Sequence, residues 1–188
     1  MQHHHPDLLL SDNSLFVVID IQERLVAAMP NDVAQRTIKQ TGRLLTAATQ
    51  LDIPVLITEQ YPRGLGSTLS QLTEKADSET VIDKTSFSCA KVDGFMQQLD
   101  AMERQQVILS GMESHICILQ TALDLKAKGV QVFVVEDAVC SRTQTNNLNA
   151  IKRMQQAGII ITSMESVLFE WLADAKHADF KTLSKLVI

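Results

Sequence analysis

Val107-Ile108-Leu109-Ser110-Gly111-Met112-Glu113-Ser114-His115-Ile116-Cys117 joins an apolar run to the start of an amphipathic helical pattern. The pattern continues to Lys128, so the segment that begins at Gly111 is predicted to be a turn between a strand and a helix. Cys117 then lies at a helix N-terminus, where the macrodipole and unpaired N–H groups favour thiolate over thiol. Position alone leaves two interpretations open: a nucleophile, or a small buried residue that packs under a sheet.

Similar apolar runs, rich in Val and Ile, alternate with helical patterns along most of the chain. The runs cover residues 15–19, 55–57, 81–82, 107–109, 130–135 and 159–161, and the helical patterns cover about 32–51, 92–102, 116–128, 145–157 and 165–173, with Gly129 and Gly158 where C-caps are expected. Continuous apolar runs indicate strands buried on both faces, and their alternation with helices indicates a parallel sheet covered on both sides. We therefore predict a Rossmann-like α/β fold, a three-layer α/β/α sandwich with a mainly parallel six-stranded sheet. Residues 1–188 would form a single domain, with residues 1–12 as a flexible N-terminal arm.

Two further segments differ from this pattern. Residues 61–78 form a longer connection than is usual between a strand and a helix, and long loops in compact domains are often functional. Leu183, Leu186 and Val187 give the C-terminus an apolar helical face, which either caps the domain or meets a partner subunit.

Composition excludes several classes of function. The chain has 188 residues and a formal net charge of −5, with Lys and Arg scattered, so we expect a small-molecule ligand and no nucleic-acid or membrane surface. No apolar stretch reaches the length of a membrane span, and the N-terminus does not resemble a signal peptide. Three cysteines without metal-ligand spacing argue against a disulfide framework and predict a cytoplasmic location.

Polar residues follow three of the apolar runs, and their side chains are candidates for chemistry. Asp20 follows the first run, Lys84 the third, and Cys117 lies in the turn after the fourth. Ligands of doubly wound sheets bind beyond the carboxyl ends of the strands, so these three should converge. Alone, Asp20 would serve equally well as a helix N-cap and Lys84 as a solvated loop residue. Together they supply a base, a cation and a nucleophile, which favours catalysis.

Three motifs resemble those of the isochorismatase-like cysteine hydrolases in order and spacing. They are Val18-Ile19-Asp20-Ile21-Gln22, Asp83-Lys84-Thr85-Ser86-Phe87-Ser88, and the turn from Gly111 to Cys117. The resemblance covers nearly the whole chain. Within the family it is closest to the subgroup of isochorismatase domain-containing proteins, through Thr58-Glu59-Gln60-Tyr61-Pro62-Arg63-Gly64-Leu65-Gly66 and Ser141-Arg142.

The resemblance implies an Asp-Lys-Cys triad at Asp20, Lys84 and Cys117 that hydrolyses a carbon–nitrogen bond through a thioester. Asp20 would take the thiol proton and give it to the leaving amine, Lys84 would stabilise the anionic groups, and Cys117 would attack the carbonyl. The implied oxyanion hole is formed by the backbone N–H groups of Glu113 and Cys117. A non-proline cis peptide bond is implied between Met112 and Glu113.

Differences from two branches of the family limit the activity. The nicotinamidase branch binds a metal through an Asp-x-His pair, but the aligned stretch here is Glu59-Gln60-Tyr61, without the histidine. His115 and His177 have no second spaced ligand, so we predict no metal and no cofactor. The branch that cleaves the vinyl ether of isochorismate does not use a nucleophilic cysteine, so Cys117 argues against that activity.

Five residues are candidates for substrate contacts. Gln60 and Arg142 follow strands and could hold a substrate carboxylate or amide, although hydrogen bonds or ion pairs within the loops are an equal alternative. Tyr61, Phe87 and His115 are further candidates from the same motifs.

Other conspicuous residues are assigned to packing. Cys89 and Cys140 lie near the predicted crevice, but free cysteines are usually interior and we predict that both are buried. Phe16, Phe133 and Phe169 fall within apolar runs and are predicted to belong to the core.

The sequence thus predicts a metal-independent cysteine hydrolase of small amides or related acyl compounds, which forms a homo-oligomer. Two alternatives remain open: a non-catalytic binding or scaffold protein of the same fold, and a thiol redox sensor in which Cys89 or Cys140 pairs with Cys117. The sequence does not identify the physiological substrate.

Overall fold

The computed structural model describes residues 5–76 and 81–187. It contains one sheet of β1 (Ser14–Ile19), β2 (Val55–Gln60), β3 (Val81–Lys84), β4 (Gln106–Met112), β5 (Gln131–Cys140) and β6 (Ile160–Thr162). The spatial order is β3-β2-β1-β4-β5-β6, and every neighbouring pair is parallel. The predicted parallel six-stranded sheet is therefore confirmed, with each strand on a predicted apolar run.

Helices cover both faces of this sheet. They are α1 (Glu23–Ala27), α2 (Asn31–Gln50), α3 (Pro62–Leu65), α4 (Ser70–Thr73), α5 (Asp93–Ala101), α6 (Leu119–Ala127), α7 (Gln144–Gln156), α8 (Met164–Leu172) and α9 (Phe180–Leu183). The five predicted helices correspond to α2, α5, α6, α7 and α8. Of these, α6 starts later than predicted because Ser114–Ile118 forms a π-helical turn ahead of it. Among the described residues, no helix has the length and apolar character needed to cross a membrane.

Two apolar layers hold the sandwich together, one on each face of the sheet. Successive side chains of a strand point to opposite faces, so Phe16 and Val18 of β1 face α2 and α8, whereas Leu15, Val17 and Ile19 face α5, α6 and α7. All six residues of β1 are buried. The three-layer α/β/α architecture follows from this burial on both faces.

Gly111 allows the two central strands to approach closely. Its φ is +121°, and a Cβ at this position would lie 1.9 Å from the backbone oxygen of Ile19 on β1. Only glycine fits here, because any side chain would overlap the backbone of the neighbouring strand. The contact fixes β4 against β1 directly ahead of the turn that carries Cys117.

The predicted long loop contains α3 and α4 and is attached to the segment after β1. Gln22 and Thr68 form an antiparallel bridge, Glu23 N donates to Ser67 O (3.2 Å), and Leu69 N donates to Ile21 O (3.1 Å). These bonds hold the first part of the loop against the residues that immediately follow Asp20. The last two residues of the predicted loop, 77 and 78, lie outside the described part of the chain.

The N-terminal segment is packed where we predicted a flexible arm. Leu9 is only 1% exposed and belongs to the layer that contains α8. Its N–H donates to Glu170 Oε2 (2.9 Å), and the N–H of Leu10 donates to Gln106 Oε1 (2.8 Å). At residues 9 and 10 the structure differs from the expected flexible arm, because one leucine occupies an apolar site and two backbone N–H groups find side-chain acceptors. Residues 1–4 lie outside the described part.

Shortening Leu9 should therefore destabilise the fold. We expect Leu9→Ala to cost about 2–4 kcal/mol in the free energy of unfolding, because the substitution leaves a cavity in a packed layer. The neighbouring Leu8 is 44% exposed, and Leu8→Ala is the matched control, with an expected change within about 0.5 kcal/mol. Urea unfolding of both variants measures the difference. Equal effects would mean that the arm is not docked.

The C-terminal apolar face caps the domain. Leu183 is 1% exposed, and Leu186 and Val187 pack against the same layer as α8.

On the outer side of α8, Phe169 is 37% exposed and lies against Phe180, with ring centroids 6.2 Å apart. The prediction that Phe169 is a core residue is wrong, because its helix turns it outward onto another ring rather than under the sheet.

Candidate active site

The three predicted catalytic residues meet where the strand order reverses, between β1 and β4. Asp20 follows β1 and has a φ of 54°, Lys84 is the last residue of β3, and Cys117 lies in the π-helical turn after β4. Asp20, Lys84 and Cys117 are 0%, 4% and 5% exposed. In α/β sheets ligands bind at such a reversal, beyond the carboxyl ends of the strands.

Lys84 joins the other two members of this group. Its Nζ lies 2.6 Å from Asp20 Oδ2 and 3.6 Å from Cys117 Sγ. The charges of Asp20 and Lys84 both act on the pKa of the Cys117 thiol. Asp20 is not a helix N-cap, because the N-cap of α1 is Gln22. Lys84 is not a solvated loop residue, because its side chain and that of Asp20 are completely buried. We call Asp20, Lys84 and Cys117 the triad.

Burial raises the pKa of the Cys117 thiol well above its ordinary value, and the nearby Asp20 carboxylate raises it further, while Lys84 acts in the opposite direction. This direction is opposite to the one expected from a helix N-terminus, because burial disfavours the charged thiolate. Burial also raises the pKa of Asp20 despite the Lys84 charge. Burial lowers the pKa of Lys84, but Asp20 and Cys117 outweigh it, so the pKa is raised and the ammonium stays charged. The resting site thus holds a thiol, and the thiol needs a base.

The raised pKa of Cys117 predicts the pH dependence of its alkylation. Because the thiolate is the reactive form and its fraction is small below the pKa, the rate should rise by nearly tenfold per unit between about pH 6 and 9. Mass spectrometry of each cysteine after iodoacetamide treatment measures the rate, with the buried Cys89 and Cys140 as internal references. A plateau near neutral pH would contradict this prediction.

Two residues of β2 hold the triad, and neither was assigned this role from the sequence. For Gln60 the sequence left a substrate contact and an internal hydrogen bond as equal alternatives. Its Oε1 accepts from Lys84 Nζ (2.7 Å) and its Nε2 donates to Thr85 O (2.8 Å), which favours the internal hydrogen bond. Thr58 was missed, although a hydroxyl near the carboxyl end of β2 was a visible signal. Its Oγ1 donates to Asp20 Oδ1 (2.8 Å).

Glu113 and Arg142 connect the turn before Cys117 to the end of β5. Glu113 is 5% exposed, and its carboxylate accepts from the backbone N–H (2.9 Å) and Nε (3.1 Å) of Arg142. The Arg142 side chain is 57% exposed, so its guanidinium lies at the surface while its Nε is held. The Met112–Glu113 peptide bond is cis, as the resemblance implies. Glu113 O accepts from Ile116 N (3.0 Å) and Ile118 N (3.3 Å), so the turn closes back onto this residue.

His115 is held on both sides of its ring. Its Nδ1 lies 3.0 Å from Ser141 Oγ and its Nε2 lies 3.3 Å from Asn146 Nδ2. Next to it, Ser114 Oγ donates to Asn147 Oδ1 (2.6 Å). Both ring nitrogens are thus used within the protein, which favours a structural role in fixing the turn against α7 over the predicted substrate contact.

Two predicted contact residues lie exposed at the carboxyl edge of the sheet. Tyr61 and Phe87 are 55% and 52% exposed. An open cavity of about 340 Å³ is lined by Tyr61, Pro62, Arg63, Asp83, Lys84 and Thr85. Lys84 is the triad residue in this lining, and because its side chain is completely buried it borders the cavity through its backbone.

The remaining cysteines are buried, as predicted. Cys89 and Cys140 are both 0% exposed. Cys89 Sγ lies 3.9 Å from Thr58 Oγ1, and burial raises the pKa of its thiol to about 11. Within residues 5–76 and 81–187, no group of three His, Cys, Asp or Glu side chains is arranged to hold a metal ion.

The model of the isochorismatase domain matches residues 14–166, a range that contains the whole triad. This chain belongs to the isochorismatase family. The match begins at β1 and ends in α8, so it spans the six strands and confirms the resemblance that the three motifs carry.

Proteins from distant organisms are similar to this chain over most of its length. Isochorismatase domain-containing protein 2A of Mus musculus is 38% identical over 95% of this chain and 84% of its own. The secreted isochorismatase effector Isc1 of Phytophthora sojae is 39% identical over 95% and 86%. The structure of the MAR1 ribonuclease of Caenorhabditis elegans has a TM-score of 0.89 and 38% identity, covering 96% of this chain and 92% of its own.

Proposed function

We propose that the protein is a cysteine hydrolase that cleaves the carbon–nitrogen bond of a small amide, or a related acyl compound, through a thioester at Cys117. The observation that carries the proposal is the buried contact of one ammonium group, that of Lys84, with both the Asp20 carboxylate (2.6 Å) and the Cys117 sulfur (3.6 Å). A carboxylate, a cation and a thiol in contact are the groups that nucleophilic acyl transfer needs.

The first half of the proposed reaction forms the thioester. The Cys117 proton moves to Asp20 as the sulfur attacks the carbonyl carbon, and the carbonyl oxygen becomes an oxyanion. The carbon–nitrogen bond then breaks, and Asp20 gives the proton to the leaving amine. Lys84 remains an ammonium group throughout and offsets the negative charge that the sulfur and Asp20 share.

The second half releases the acid. Asp20 takes a proton from water as the water oxygen attacks the thioester carbon, and the carbon–sulfur bond breaks. Asp20 then gives this proton to the Cys117 sulfur, which restores the thiol and the carboxylate. The raised pKa of Asp20 supports this role, because a carboxyl group with a raised pKa exchanges protons more readily near neutral pH. The proton transfers thus involve Asp20, Cys117, the leaving amine and one water molecule.

Residues around the triad supply binding roles in this proposal. The backbone N–H groups of Glu113 and Cys117 would stabilise the oxyanion, since donors aimed at developing charge act strongly in a buried site. The exposed guanidinium of Arg142 would hold a substrate carboxylate. Its Nε bonds to Glu113, and the rest of the group lies at the surface. Tyr61 and Phe87 would contact the apolar part of the substrate.

Small molecules fit the composition better than RNA does. The nematode relative is named a ribonuclease. In this chain the net charge is −5 and the Lys and Arg residues are scattered, whereas RNA binding relies on clustered cations. RNA is therefore a second class of substrate to include in the test.

The two non-hydrolytic alternatives have less support. A scaffold does not need a buried lysine, carboxylate and thiol in contact, since burying charges is costly. A redox sensor needs a second thiol that reacts readily, but Cys89 is fully buried and its pKa is raised to about 11. An internal disulfide after mild peroxide treatment, detected by intact mass, would favour the sensor, whereas a stable sulfinate on Cys117 would not.

The proposal also covers the oligomeric state of the protein and its location in the cell. We expect a homo-oligomer, supported by the exposed Tyr61 and Phe87 at the mouth of the site. We also expect a reducing, cytoplasmic compartment, supported by three free cysteines. One relative is named as secreted, so fractionation of the native cell is needed.

A substrate screen tests the proposed activity. Purified wild-type protein is incubated with a panel of primary amides, carbamoyl compounds and small thioesters, with and without a carboxylate group, and with an RNA oligonucleotide in a separate arm. Ammonia or acid release from a small acyl compound, insensitive to chelators, supports the proposal. Cleavage of RNA alone would contradict it.

A further inference from the structure

Gln60 is the second strong partner of Lys84. An ammonium group has three N–H donors. Two of them make short bonds, to Asp20 Oδ2 (2.6 Å) and Gln60 Oε1 (2.7 Å). The other contacts of Nζ are longer: 3.4 Å to each carbonyl oxygen of residues 86–87 and 3.6 Å to Cys117 Sγ. Two of the three donors are thus committed, and the third has the two carbonyl oxygens and the Cys117 sulfur as candidate acceptors.

The orientation of the Gln60 amide follows from its neighbours. Its Nε2 lies 2.8 Å from Thr85 O, which can only accept, and its Oε1 lies 2.7 Å from the Lys84 ammonium, which can only donate. Exchanging the amide oxygen and nitrogen would create two repulsive contacts. The acceptor must therefore face Lys84.

The backbone of Gln60 is held by a second glutamine. Gln60 N donates to Gln22 Oε1 (2.7 Å), and Gln22 Nε2 donates to Gln60 O (3.1 Å) and to Gly66 O (2.6 Å). Gln22 is completely buried and comes two residues after Asp20. The contacts form a closed ring from Asp20 to Lys84, Gln60, Gln22 and back along the chain to Asp20.

We propose that Gln60 is a positioning residue, which fixes the Lys84 ammonium so that one N–H remains directed at the Cys117 sulfur, and that Gln22 holds Gln60 in place. This inference rests on the proposed function, since it assigns the ring a task in preparing the thiol for attack. Gln60 makes no substrate contact in this role.

A neutral acceptor suits the task better than a carboxylate. Asp20 and Lys84 carry opposite charges, and the Gln60 amide adds a hydrogen bond without adding charge. A glutamate at position 60 would compete with Asp20 for the ammonium and would place a second negative charge near Cys117, which disfavours its thiolate.

Two variants of nearly the same size separate the hydrogen bond from the charge. Gln60→Met removes the acceptor, and Gln60→Glu keeps an acceptor but adds a negative charge. Gln40→Met is the matched control, because Gln40 also makes two side-chain bonds, to Asp137 (3.0 Å) and Arg43 (3.1 Å), but touches none of the triad. The measurement is the iodoacetamide rate at Cys117 from pH 6 to 10, with the thermal midpoint of each variant.

We expect both Gln60 variants to slow alkylation of Cys117 by roughly tenfold near pH 8, because a hydrogen bond to a charged group is lost or misdirected. Gln60→Glu should give the larger of the two losses, because its added negative charge further disfavours the thiolate, whereas Gln40→Met should match the wild type. On an amide found in the screen, kcat should fall by a similar factor with KM unchanged, since Gln60 does not touch substrate. Gln22→Met should reproduce the loss seen in Gln60→Met.

The outcomes separate the two proposals. A wild-type pH profile in the folded Gln60 variants, or a raised KM with unchanged kcat, overturns the positioning role and leaves the hydrolase proposal intact. If Gln60→Met does not fold, the profile of Gln60→Glu decides. If the positioning effect on Cys117 is present but no acyl compound is turned over, the ring is upheld and the hydrolase proposal fails.

Discussion

Replacing Cys117 with alanine is expected to reduce acyl hydrolysis by at least roughly a thousandfold, because no other group in the site can form the thioester. The fold should survive, since a 5%-exposed thiol is replaced by a smaller apolar group at the edge of a layer. The steady-state rate on the best compound of the screen measures the loss. After acid quench of the wild type, intact mass should rise by the acyl group on Cys117.

Cys140→Ala is the control for this experiment. Cys140 is also buried and free, but it lies at the end of β5 and is not part of the triad. Its removal should cost about 1 kcal/mol of stability and leave kcat within about twofold. Equal losses in both variants, or an acyl adduct on another residue, would refute Cys117 as the nucleophile.

Gly111→Ala is expected to prevent folding or to cost more than about 4 kcal/mol in the free energy of unfolding. The added Cβ would lie 1.9 Å from Ile19 O, 2.8 Å from Ile19 C and 2.9 Å from Ile19 N, all backbone atoms of a central strand that cannot move aside. The φ of +121° adds strain for any residue with a side chain. Soluble yield and urea unfolding measure the effect.

Gly94→Ala is the matched comparison. Gly94 lies in α5, and nothing is within 4 Å of a Cβ built there. Its free energy of unfolding should stay the same or rise by up to about 1 kcal/mol, because alanine restricts the unfolded chain more than glycine does. If Gly111→Ala unfolds like Gly94→Ala, β1 and β4 can separate at this point, and the geometry of the turn would not depend on their close approach.

The sheet was predictable because its information is local. Each strand lies on a continuous apolar run, and strand–helix alternation specifies a parallel sheet without knowledge of any contact. The convergence of Asp20, Lys84 and Cys117 follows from the same rule, because the carboxyl ends of parallel strands share one edge. The cis peptide bond came from the family resemblance rather than from the residues.

The features that could not be predicted from the sequence depend on residues that are distant along the chain. The role of Gln60 depends on the pairing of β2 with β3, which places Gln60 opposite Lys84. The direction of the Cys117 pKa depends on burial, which a helix-terminus rule does not include. Leu9 carried no periodic signal, since one residue cannot show a pattern. In each case the deciding atoms come from distant parts of the chain.

The docking of the N-terminal segment has a practical consequence for handling the protein. Gln131 Nε2 donates to Pro6 O (2.6 Å), and Gln106 Nε2 donates to Leu8 O (2.9 Å), both from the first residues of strands. Residues 6–8 therefore lie at the amino ends of the strands, whereas the Cys117 thiol lies at the carboxyl ends, on the opposite edge of the sheet. A dye or surface anchor attached ahead of Pro6 would leave the opposite edge facing free solution, an orientation suited to immobilised assays.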